Sequence, residues 1–64
     1  MPKVILRLPE VIRRTGLSRS TIYLKISKKE FISPISLSER SIGFLESEVS
    51  DWIDERIKAS RKET

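Results

Sequence analysis

The sequence predicts a mainly α fold with one small β-hairpin, in the order helix, helix, hairpin, helix. Three observations predict it. Two short stretches with apolar residues at helical spacing are parted by Thr15-Gly16-Leu17-Ser18. Two alternating runs, 35–37 and 42–44, flank the polar Ser38-Glu39-Arg40-Ser41. A last stretch, 46–60, repeats apolar residues every three or four positions, with acids early and bases late. Sixty-four residues suit a single domain. The expected unit is 1–64, with 1–3 and 61–64 flexible.

Each element has its own reason. Residues 1–7 are rich in apolar and β-branched side chains around Lys3 and Arg7, which suits a short edge strand or an ordered arm. Leu8-Pro9-Glu10 opens the first helix. Proline is tolerated in a first turn because its missing N–H has no intrahelical partner there. Glu10 complements the positive end of the helix dipole. Leu8, Val11, Ile12 and Thr15 form one narrow face. Gly16 ends the helix by supplying a left-handed backbone. Ser18 is a good N-cap for a second helix over about 18–28. Its inward stripe is Ile22 and Ile26. Arg19, Ser20, Thr21, Tyr23, Lys25 and Lys28 are left for the outer surface.

Pro34 then forbids helix and biases Ser33 toward extended structure. The hairpin spans about 35–44 around a four-residue polar loop. That loop lacks Asn-Gly or Asp-Gly, so a two-residue type I′ turn is not indicated. In the last helix Val49, Trp52, Ile53, Arg56 and Ile57 share a face, with Trp52 expected as the keystone of the core. The candidate core is Leu8, Val11, Ile12, Leu17, Ile22, Ile26, Phe31, Ile35, Ile42, Phe44, Val49, Trp52, Ile53 and Ile57. Helix, glycine-bearing turn, helix and hairpin together make a winged helix-turn-helix pattern.

Composition narrows the function. There is no Cys and no His, which excludes a zinc finger, a disulfide framework and Cys/His nucleophile chemistry. No apolar run approaches the roughly 20 residues that span a bilayer. So small a core leaves no volume for a deep substrate pocket, and no catalytic residue, cofactor site or metal site is expected. The formal net charge of +4 is unevenly spread. Residues 1–40 carry nine basic groups against three acidic ones, a net of +6; residues 41–64 carry four against six, a net of −2. A basic face with an acidic element behind it suits a polyanion. No acid lies between Glu10 and Glu30, and the second helix offers Arg, Ser, Thr, Tyr and Lys. Those side chains contact phosphates and base edges. An ordinary solvated helix mixes signs.

The chain resembles the AlpA family of prophage-type DNA-binding regulators, small MerR-like winged-helix proteins related in fold to phage excisionases. The resemblance rests on Leu8-Pro9-Glu10-Val11, Thr15-Gly16-Leu17-Ser18-Arg19-Ser20-Thr21-Ile22-Tyr23, Phe31, Pro34, Gly43-Phe44-Leu45-Glu46-Ser47-Glu48-Val49 and Asp51-Trp52-Ile53. It departs from the family at Ile32, where proline is usual, in the glycine-free loop 38–41, and at Phe44, where tryptophan is frequent. The resemblance implies sequence-specific binding of double-stranded DNA and transcriptional regulation of an integrated element. It implies that Arg19, Ser20, Tyr23 and Lys25 meet the major groove or its phosphates and that Arg40 serves the wing. Thr21 and Lys28 join the expected interface. The expected location is the bacterial cytoplasm, on the nucleoid. Expected partners are double-stranded DNA, a second copy in a weak homo-oligomer or cooperative assembly on DNA, and an integrase or other phage protein, with no membrane. One other reading keeps the fold, an excisionase that bends DNA; a second, from a different class, is a small protein-interaction module using the 46–60 helix.

Overall fold

A computed structural model of the protein describes residues 3–61. Six elements follow one another: β1 (Ile5–Leu6), α1 (Leu8–Thr15), α2 (Arg19–Ser27), β2 (Ile35–Ser38), β3 (Ser41–Leu45) and α3 (Glu46–Arg61). The termini expected to be flexible lie mostly outside the described residues. Lys3 is exposed and irregular, whereas Arg61 is the last residue of α3.

The turn between α1 and α2 is fixed by local hydrogen bonds. Arg7 is the extended residue before α1, and its carbonyl accepts from the Glu10 and Val11 amides at 3.0 and 3.1 Å. Gly16 has φ 75°, and its N–H donates to the Ile12 carbonyl at 2.9 Å. The Thr15 hydroxyl donates to the Val11 carbonyl at 2.8 Å and accepts from the Leu17 amide at 3.3 Å. Ser18 caps α2, accepting from the Thr21 amide at 3.2 Å and donating to the Thr21 hydroxyl at 2.9 Å. The backbone bonds at Arg7 and Gly16 and the Ser18 cap on the Thr21 amide satisfy groups that helix ends leave unpaired.

α2 ends one residue earlier than the sequence suggests, at Ser27. Lys29 adopts φ 60°, so that its N–H reaches the Ile26 carbonyl (3.0 Å) and the Glu30 N–H reaches the Lys25 carbonyl (2.7 Å). This is a Schellman cap with lysine where glycine is usual. Nothing in the composition of Lys28-Lys29-Glu30 marks it as a left-handed stop.

The hairpin is part of a larger sheet. β3 is central, and the order is β1-β3-β2, antiparallel throughout. Residues 1–7 therefore do contribute an edge strand, and Ile5 and Leu6 face Leu45 and Phe44. The expected four-residue loop is corrected to a two-residue turn, because Ser38 and Ser41 pair directly around Glu39-Arg40. Neither turn residue has a positive φ, so the turn is not of the primed kind. The register slips between Ser36 and Ser38, leaving Leu37 as an extra residue. Such a bulge adds right-handed twist, which offsets the splay that an unprimed turn imposes.

The core lies between the sheet and the three helices. Leu6, Leu8, Val11, Ile22, Phe31, Phe44 and Val49 are buried, and among the described residues no polar or charged one is buried with them. Phe44 is fully buried and central. Phe31 meets Phe44 edge-on at 5.8 Å and Trp52 edge-on at 4.9 Å. Trp52 is thus half-buried and not the keystone expected of it. It clips the chain that leaves α2, its indole N–H donating to the Glu30 carbonyl at 3.3 Å. Ile57 is 43% exposed and leaves the core list. α3 has 16 residues against eight in α1. At 1.5 Å per residue it is longer than α1 by about 12 Å, and Arg56, Ile57, Ser60 and Arg61 of its later turns line a cleft with Arg14 and Thr15 of α1.

Candidate nucleic-acid interface

The basic side chains fall into two groups that the sequence does not separate. Arg13 and Arg14 are neutralised. Both bond Glu10, Arg14 at 2.8 Å, and Arg14 also reaches Glu46 at the start of α3 at 2.9 Å. Hydrogen bonds from Arg13 first and Arg14 second hold the Glu10 carboxyl below the usual carboxylate range. The hydrogen bonds that Arg14 donates to Glu10 and then to Glu46 raise its own value. Arg14 ties α1 to α3, whereas Arg13 stays within α1.

Arg7, Arg19 and Arg40 form the second group. They line a groove of about 380 Å³ together with Leu8, Pro9, Tyr23 and Ile42. Three elements meet there. Arg7 precedes α1, Arg19 opens α2 with Tyr23 one turn later, and Arg40 sits in the β2–β3 turn. Of the described residues, no carboxylate lines the groove. Among the described residues none pairs with Arg7, Arg19 or Arg40. All three are exposed, and Tyr23 is 47% exposed. Three guanidiniums converging without a counter-ion repel one another, so the groove is electrostatically set to receive an anion. Arginine forks suit phosphate in particular.

Of the residues expected at the interface, Arg19, Tyr23 and Arg40 are brought together. Ser20 is exposed on α2 but does not line the groove. The Thr21 hydroxyl is engaged by the Ser18 cap and is half-buried. Lys25 is half-buried along α2, and Lys28 is exposed at its C-terminal end. Sequence reasoning passed over Arg7. Its signal was its place directly before the Leu8-Pro9 helix start, which brings it beside α2 once the glycine turn folds back.

Comparison with known proteins follows the same lines. Residues 4–57 match the family described as prophage CP4-57 regulatory protein (AlpA). A phage P4 protein described as uncharacterized protein ORF88 is 51% identical over 57 residues, covering 89% of this chain. The chain spans 64% of that phage protein's length. The DNA-binding transcriptional activator AlpA of Escherichia coli K12 is 38% identical over 60 residues, covering 84% of this chain and 86% of the activator. No solved structure matches the chain. A family match over residues 4–57, with the activator covered over most of its length, has one consequence: the chain belongs to the prophage CP4-57 regulatory protein (AlpA) family.

Proposed function

We propose that the protein is a non-enzymatic, sequence-specific regulator that binds double-stranded DNA and controls transcription of a prophage or other integrated element. The fold is read as a winged helix-turn-helix. α2 enters the major groove, and the β2–β3 hairpin lies on the backbone or in the minor groove. The observation that carries the reading is the convergence of Arg7, Arg19, Tyr23 and Arg40 in one acid-free groove. The name of the Escherichia coli relative, a DNA-binding transcriptional activator, supports it.

Dimensions agree. An α-helix with its side chains is about 10–12 Å across, and the major groove is about 12 Å wide. Arg19 and Ser20 at its first turn reach base edges or phosphates, and Tyr23 bonds a phosphate or packs on sugar. Thr21 steadies that turn through the cap. Lys25 and Lys28 add positive potential along the helix. Arg7 and Arg40 hold phosphates on either side. DNA is the partner, the bacterial nucleoid the location, and no cofactor is needed.

Nuclear magnetic resonance with duplexes selected from a random pool tests this. Shifts on residues 7–9, 18–28 and 38–42 are expected. A response confined to 46–60 on titration would move the contact to α3 and overturn the reading.

A further inference from the structure

α2 carries one large apolar side chain that neither the core nor the arginine groove uses. Leu24 is 53% exposed, the most exposed of the large apolar residues described. It is absent from the core cluster that holds Ile22 and Ile26. At 3.6 residues per turn it lies about 160° around the axis from each of them, directly away from the core. Ser20 stands one turn before it and Lys28 one turn after, both exposed, so the three form a single outward strip. Scattered apolar residues on a surface are ordinary. This one is different in position: it is the centre of the most outward face of a helix that carries no acid.

We propose that Leu24 is a specificity residue that packs on the 5-methyl group of a thymine in the major groove. The inference rests on the DNA-binding reading above. A helix lying in the major groove presents the face opposite its own packing stripe to the base edges, and here that face is Ser20-Leu24-Lys28. The methyl is the apolar mark of thymine in that groove, and an apolar side chain is what recognises it. A serine hydroxyl and a lysine ammonium above and below can meet the polar edges of neighbouring pairs. The isobutyl group, solvated in the free protein, loses water only where a methyl is present. Leu24 therefore adds sequence preference and no charge.

The test uses the whole chain and a duplex selected by it from a random pool. Each thymine of the selected site is replaced in turn by deoxyuridine, which lacks only the methyl. The wild-type protein should weaken about fourfold at one or two positions, the equivalent of about 0.8 kcal/mol for one methyl group. Leu24→Ala should lose that discrimination and bind thymine and uracil duplexes equally. Its salt dependence should stay unchanged, because Leu24 neutralises no phosphate. Leu24 is exposed, so the variant keeps its core. Indifference of the wild type to uracil at every position, or a penalty that persists in Leu24→Ala, would overturn the assignment and leave DNA binding intact. A chain that selects no duplex from the pool would fail earlier, at the DNA-binding reading itself, and take the assignment with it.

Discussion

Arg13 and Arg19 are both exposed arginines on short helices, yet the structure gives them opposite duties. Arg13 spends its charge on Glu10. Arg19 faces a groove with no acid. If Arg19 holds a phosphate, Arg19→Ala should weaken duplex binding and reduce the salt slope by about one, whereas Arg13→Ala should leave the slope alone. Fluorescence anisotropy across a salt series reads both. Glu10 gives a pH prediction. Its folded-state value is depressed below the ordinary 4.5, so its contribution to stability is present above that value. The contribution is lost as the pH falls through the depressed value. Acid titration followed by circular dichroism should show a destabilisation below pH 4.5 that Glu10→Gln reduces. Lys29 is held at φ 60°, a conformation that costs an L-residue about 1–2 kcal/mol. Lys29→Gly should therefore stabilise the fold by about 1 kcal/mol net of glycine's own entropy, raising the Tm by about 4–8 °C.

The α1–α2 turn is the element on which the proposed interface depends. Gly16 at φ 75° has nothing within 4 Å of where a Cβ would stand, so Gly16→Ala costs backbone strain alone, about 1 kcal/mol. Ser18→Ala removes the cap and should cost a further 0.5–2 kcal/mol, about 1 being typical. Chemical denaturation measures both. This turn was legible in the sequence because glycine and serine announce their roles through backbone chemistry. The hairpin was legible only in outline. Alternation placed its strands, but the two-residue turn depends on the bulge at Leu37, and a bulge has no residue signature there. β1 was legible as an extended segment, whereas its partner was set by topology: Phe44 had to be covered by Leu6. Gly43 has a role that only packing reveals. A Cβ there would run into the Ile5 side chain and press on Leu37, so glycine lets the flanking strands close over β3. Trp52 misled because size suggests a centre, while its N–H needed a polar partner at the edge and found the Glu30 carbonyl.

At the scale of the molecule, a small core and a segregated charge explain each other. Seven buried apolar residues support the fold among the described residues, and no buried charge taxes them. Phe44→Ala should cost about 3–5 kcal/mol, a large share of the roughly 3–10 kcal/mol expected for a chain this short, and lower the denaturation midpoint read by circular dichroism in proportion. The net +6 of residues 1–40 was readable from composition. The sorting of its arginines into neutralised and unpaired sets was not, because Glu46 reaches Arg14 across 32 positions of sequence. The sorting leaves Arg7, Arg19 and Arg40 unpaired among the described residues on one face, the face proposed to meet duplex DNA. The salt dependence of binding to a selected duplex tests this most directly. Three phosphates neutralised by these arginines require log K to fall with log salt at a slope of about −2.7 or steeper, and an Arg7→Ala, Arg19→Ala, Arg40→Ala triple variant to lose about that slope. An affinity flat across the salt series, or a triple variant with the wild-type slope, would contradict the account.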